Sequence, residues 1–188
     1  MVFQTTNTRK LKVGSVDVKV ALYSDAEATM ETAVSVGVLK GITGKHTGTP
    51  VAYEPDNAED IDLGVANEQY EVGASEWANI DLEVLHLLTG QVGEYEATED
   101  SKSLSFGGGG LPKPLHVWLV HTNAEGEKFV VEIYKVTSIA GPEFSFGSDK
   151  ARDLLKMPIT LIGKPDGTRA PGDQLYKITD SVTVRDGV

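Results

Sequence analysis

Apolar residues recur at every second position in three stretches of this chain, which is the period of a strand with one buried face. Val16, Val18, Val20 and Leu22 alternate with Asp17, Lys19 and Ala21, and Val34, Val36 and Val38 repeat the pattern. Leu155, Met157, Ile159 and Leu161 repeat it again ahead of the turn residues Lys164-Pro165-Asp166-Gly167. A helix would scatter such residues around its circumference, so these segments favour sheet. Residues 115–120 and 127–136 flank Asn123-Ala124-Glu125-Gly126 and read as a hairpin. Ala140-Gly141-Pro142 then punctuates the chain before residues 143–146. The C-terminal half therefore reads as a β-meander. The fold class expected is mainly β, a β-sandwich or barrel-like domain flanked by one α-helix.

That helix is expected over residues 77–89, where Trp77, Ile80, Val84, Leu87 and Leu88 share a face at 3.6 residues per turn. Asn79 is placed to cap it and Gly90 to end it. Leu82 and Leu85 lie off the stripe, so the helix is either wholly buried or also touches a neighbouring subunit. Two segments read as irregular: residues 41–60, which hold Gly41, Gly44, Gly48, Pro50 and Pro55, and residues 91–114, which hold Gly107 to Gly110, Pro112 and Pro114. Structureless connections longer than about 12–15 residues are uncommon in compact domains. Two of them in a single domain spanning 1–188 call for a partner.

With 188 residues the chain can bury roughly 70% of its unfolded surface and needs no staples. It has no cysteine, which excludes disulfides, thiolate metal sites and cysteine nucleophiles. Residues 1–12 are polar, with Arg9, Lys10 and Lys12 and no apolar core of a signal peptide, and no run of 18 apolar residues exists. A soluble protein without a membrane span is expected. Net charge is −11, and residues 46–101 contain no Lys or Arg. Nucleic-acid binding draws its affinity from cations that displace counterions, so this stretch repels phosphate.

No motif in the chain meets the requirements of a known chemistry. Gly41-Ile42-Thr43-Gly44-Lys45-His46-Thr47 resembles part of a phosphate-binding loop, but Leu39 stands where its first glycine belongs and His46 follows the lysine. Leu111-Pro112-Lys113-Pro114 follows the glycine run and cannot open a helix onto a phosphate. His116 and His121 sit five apart in a strand, on opposite faces, and His46 and His86 have no partner at ligand spacing. The acids of 56–62 lack the order of a calcium loop. No Gly-x-Ser-x-Gly elbow is present, and no pair of carboxylates stands out among 28 acids. No catalytic, cofactor or metal site is expected.

The order of elements resembles that of the major tail tube proteins of long-tailed bacteriophages, a family similar in fold to the inner-tube protein of type VI secretion systems. The likeness runs over nearly the whole chain. A strand region at 13–22 is followed by strand residues 34–42, a long Gly/Pro-bearing loop and Ile61-Asp62-Leu63-Gly64-Val65. The amphipathic segment closing on Thr89-Gly90 comes next, then the strand 128–136 and Gly141-Pro142-Glu143-Phe144-Ser145-Phe146. The resemblance implies a structural virion protein with no active site and no cofactor. Six copies would form a ring whose strands join into one barrel, and stacked rings would form a tube for DNA ejection. It implies copies of the chain itself, a tape-measure protein and a tail-terminator protein as partners, with DNA passing through unbound. The implied location is the virion tail, with assembly in the host cytoplasm. Lys45, His46 and Tyr53 in the first long loop, and Trp77 at the start of the helix, are the candidate inter-subunit contacts. Competing readings are another virion component (a tail terminator, connector or head decoration protein), a secretion-tube relative, or an acidic hydrolase or sugar-binding β-sandwich.

Overall fold

A computed structural model describes residues 14–24, 27–53, 61–77, 80–106, 110–124, 126–138 and 157–180. In chain order the described elements are β1 (Gly14–Leu22), β2 (Val34–Ser35), β3 (Leu39–Lys40), β4 (Thr43–Tyr53), β5 (Ile61–Trp77), α1 (Leu82–Leu88), β6 (Glu94–Ala97), β7 (Lys102–Ser105), β8 (Leu115–Asn123), β9 (Lys128–Ser138), β10 (Met157–Gly163) and β11 (Tyr176–Asp180). Among the described residues the protein is mainly β with one helix. One antiparallel sheet runs β2-β1-β8-β9-β10-β5-β3, with β11 added on β9 and β4 on β5; β6 and β7 form a separate hairpin.

The alternating valines do what their period requires. Val18 and Val20 of β1 are buried, as are Met157, Ile159 and Leu161 of β10. The hairpin expected around residues 123–126 joins β8 to β9, and β8, β9 and β10 are consecutive neighbours, as in a meander. Residues 143–146 and Leu155 lie outside the described residues. In the 34–38 run only Val36 is buried, because β2 is an edge strand two residues long.

The sheet curls. Laid flat, β1 and β5 would sit four strand spacings apart, about 19 Å. Instead Val18 of β1 and Val72 and Ala74 of β5 line one small apolar void, together with Leu88 and Ile159. Bulges accompany the bend: the register shifts by one residue between β10 and β5 and again between β8 and β9. Trp77, fully buried, sits in this cluster with Val20, Val117, Ile133 and Val136. Leu85 and Leu88 of α1 pack against it as well.

Three expectations are corrected. The helix starts later than the apolar stripe suggests: Trp77 ends β5, and Asp81, not Asn79, caps α1 by accepting from the Glu83 N–H at 2.8 Å. Leu85, off the expected stripe, is one of its two buried residues, with Leu88 one turn on. Gly90 does end the helix, at φ +70°. Residues 43–53, read as irregular, form β4 and pair along β5. Their glycines mark close approach, not turns: a Cβ on Gly44 would stand 2.5 Å from the Tyr70 hydroxyl, and one on Gly48 would stand 2.4 Å from a Val65 methyl. The segment 91–114 contains the β6–β7 hairpin, held by the cross-strand pair Tyr95 and Leu104 and by a tight turn at 98–101.

Two substitutions test this account of core and cap. Trp77→Ala should lower the unfolding free energy by about 3–5 kcal/mol, and Asp81→Ala by about 1 kcal/mol, both read from urea unfolding curves. A Trp77→Ala loss below that of Asp81→Ala would remove Trp77 from the centre of the core.

Candidate functional site

β5 is 17 residues long, and β10 covers only its second half. β10 stops at Gly163 opposite Tyr70, so residues 61–69 run on beside β4. β4 and this half of β5 make a two-stranded arm of at most ~30 Å at 3.3 Å per residue. Between 43 and 52 every residue except Thr47 is exposed, and on β5 so are Gly64, Val65 and Asn67. An isolated hairpin of this kind is marginal in water. Val51 and Val65 are exposed apolar residues on the two arm strands.

The arm is bent by two further bulges, both with the extra residue on β5, between Thr47 and Thr49 and between Val51 and Ala52 of β4. Asn67 and Gly64 adopt positive φ of 54° and 104° there. Such bulges strengthen twist and re-aim a strand pair. At the arm's base His46 and Tyr70 are cross-strand partners, and both rings meet Tyr176 of β11: Tyr176 is 4.7 Å from Tyr70 and 5.5 Å from His46, centroid to centroid. Burial, with the neighbouring Tyr176, pushes the Tyr70 phenol up from its ordinary pKa.

β11 is itself set in place by a polar clasp on the outer side of the sheet. The loop from β10 to β11 carries Asp166, buried, whose carboxylate accepts from Tyr23 Oη at 2.7 Å and from Thr168 Oγ1 at 2.8 Å. Burial raises the Asp166 pKa, but these bonds outweigh it and hold the carboxyl below its usual range. Arg169 lies 3.6 Å over the Tyr134 ring and pairs with Asp173 at 2.7 Å, while Tyr134 donates to Asp173 at 2.6 Å. Burial and that hydrogen bond push the Tyr134 phenol up to about 12. His116, stacked on Trp118 at 4.0 Å, stands 2.9 Å from Glu132. Burial lowers the His116 pKa, and Glu132 only partly offsets it. Asp166 and Tyr134 are buried, while Arg169 and Asp173 keep part of their side chains in solvent. Chemically the clasp can hold a loop.

No protein-family model matches the chain, and no curated protein does. Among solved structures it is similar to a chain of the anti-feeding prophage baseplate, seen by cryo-EM and six-fold symmetrised. The identity is 6% and the TM-score 0.48, over 89% of this chain and 93% of that one.

Of the four expected contact residues, Lys45 and His46 are exposed on β4, with Lys45 opposite Glu71. Tyr53 ends β4 opposite Ile61. Trp77 is corrected: it is wholly buried in the core of its own subunit and offers no surface to a neighbour. The structure groups His46 with Tyr70 and Tyr176, two residues that sequence reasoning did not single out. Their only signal was the alternation Tyr176, Ile178 late in the chain. Among the described residues no three His, Asp or Glu converge as metal ligands, and no helix is long and apolar enough to cross a membrane.

The clasp carries a pH signature. A histidine whose folded pKa lies below its unfolded value near 6.5 favours folding in its neutral form. Its contribution is full above pH 6.5 and is lost as pH falls toward the lowered folded value. The depressed carboxyls of Asp166 and Asp173 act only below about pH 4, since their contribution is present above the ordinary carboxylate range. Urea midpoints should therefore fall from pH 7 to pH 5, and His116→Gln should flatten that slope. An unchanged slope in the variant would assign the loss to other groups.

Proposed function

We propose that this protein is a non-enzymatic structural subunit of a phage-type tail that assembles with copies of itself into stacked hexameric rings, forming a tube through which DNA leaves. The observation that carries this reading is the β4–β5 arm: β4 and the first half of β5 form a twice-bulged ladder in which residues 43–52, Thr47 aside, are all exposed. An ordered, exposed strand pair that carries Val51 and Val65 on its surface offers a partner both apolar contact and an open edge. The sheet also ends in two unlike edges. At one end β2 pairs only with β1, and at the other β3 and β4 pair only with β5, among the described residues. Unlike edges that meet head to tail close into rings when the rotation between copies divides a full turn, whereas identical patches make two-fold dimers. Joining them would satisfy the exposed backbone groups that a lone sheet must protect.

Surface charge suits a conduit. Glu94, Glu96, Glu99 and Asp100 are exposed on and around the β6–β7 hairpin, where Lys102 is bridged to Asp81 at 3.3 Å. Carboxylates facing a passage repel phosphate and let a duplex slide. In this reading the tape-measure and tail-terminator proteins set the length and the end of the tube, and the protein resides in the virion tail after assembly in the host cytoplasm.

Negative-stain images of concentrated protein, with and without a tail-initiation complex, should show rings and tubes. The pair Val51→Asp and Val65→Asp, on residues exposed in the single subunit, should abolish tubes while leaving urea unfolding within about 0.5 kcal/mol of the parent. Single rings without tubes would favour a terminator or connector role. A strict monomer under every condition, initiation complex included, would sink the reading.

A further inference from the structure

The clasp holds a reactive dipeptide. Asp166 is followed by Gly167, and in Asp-Gly a side-chain carboxyl meets the next backbone nitrogen with no Cβ to crowd the approach. The nitrogen of Gly167 can attack Cγ of Asp166, forming an N–Cγ bond as a Cγ–O bond breaks. The departing oxygen leaves as water with the carboxyl proton and the amide proton, and a five-membered imide remains. Water then opens the ring at one of two carbonyls. Attack at Cγ restores aspartate, whereas attack at the main-chain carbon breaks the original peptide bond and leaves the chain running through Cγ as isoaspartate. One water is lost and one gained, so the mass is unchanged and no other reactant is needed.

The fold does not require glycine at 167. Its φ is not positive, and a Cβ added there would meet nothing within 4 Å. The residue is exposed, so water reaches the site. Asp166, in contrast, is held at every polar atom. Tyr23 Oη donates to Oδ2 at 2.7 Å, while the Thr168 hydroxyl and N–H donate to Oδ1 at 2.8 and 3.1 Å. Its own N–H donates to the Gln174 carbonyl at 2.8 Å, and its carbonyl accepts from the Arg169 N–H at 3.1 Å. Closing the imide removes one carboxyl oxygen and turns the other, so these bonds oppose it. They also keep the carboxyl ionised at neutral pH, and a carboxylate has no hydroxyl to lose.

We infer that Asp166–Gly167 is a site of spontaneous isoaspartate formation, silenced in the folded subunit by the Tyr23 and Thr168 bonds and reactive once the clasp opens. Isoaspartate adds a methylene to the main chain and relocates the carboxylate. Residue 166 then cannot meet Tyr23 and Thr168 while keeping its backbone bonds to Gln174 and Arg169. A chain that stays open long enough to isomerise loses the seat of the loop that leads into β11.

Incubation of the full-length protein at pH 7.4 and 37 °C, folded or in guanidinium chloride, followed by tryptic mapping, tests this. Trypsin releases residues 157–169 as one peptide, because Lys164 precedes proline, and Asp186-Gly187 falls in a separate fragment after Arg185. The isoaspartyl form has the same mass and a shifted retention time. It should accumulate about tenfold more slowly in the folded protein than in denaturant. Tyr23→Phe should raise the folded-state rate about tenfold, the effect of losing one hydrogen bond to a charged group. Thr168→Val, which relieves the other oxygen, gives the same reading should Tyr23→Phe fail to fold. Gly167→Ala should slow the reaction in denaturant about tenfold with an unchanged urea midpoint. Equal rates in the folded and denatured protein would overturn the inference. So would a folded-state rate indifferent to loss of either hydroxyl, or a denatured-state rate indifferent to Gly167→Ala.

Discussion

β5 is longer than the sheet that holds it. Its second half lies between β10 and the β3–β4 edge and delivers Val72, Ala74 and Trp77 to the core, while its first half leaves the body with β4 alone. One uninterrupted strand thereby ties an element with no core of its own to the most buried part of the molecule. The arm's order is borrowed through the backbone ladder, since a detached hairpin of the same sequence would be marginal. Tyr176 adds a second tie at the point where the strand leaves the sheet, and it can do so because the Tyr23, Tyr134 and Asp166 clasp sets the loop that leads into β11.

Much of the body was legible from local pattern. Alternating valines identify β1, and alternation before the Lys164 turn identifies β10, because each of these strands has one face in the core; β8 is buried on both faces, and it is the turn residues after it that identify it and β9. The helix was legible only in part. Trp77, Ile80, Val84 and Leu87 keep helical spacing, yet Trp77 belongs to a strand, and its partners Leu39 and Met157 are far away in sequence. Long-range pairing overrode a local period.

The arm failed to show itself for a different reason. Glycine and proline in residues 41–60 are the usual marks of a loop, but Gly44 and Gly48 are there because Tyr70 and Val65 occupy the space of a side chain. An edge strand also tolerates Pro50, whose missing N–H is harmless where no ladder continues. Neither fact is readable before the partner strand is known. The candidate site was hidden likewise: His46, Tyr70 and Tyr176 are spread over more than a hundred residues and meet only through two strand pairings and a loop closure. What the residues did disclose was a surplus of carboxylate, which is a property of composition.

The two bulges in the arm have a consequence for recognition. A strand pair exposed on both faces has little to stop it sliding by one residue, and a slip would turn every side chain to the opposite face. The extra residues near Asn67 and Gly64 act as notches that admit one alignment only. Lys45, Thr47, Thr49 and Val51 are thus held at invariant intervals along the outer strand. Every copy of the protein therefore presents these four side chains in one fixed alignment against β5.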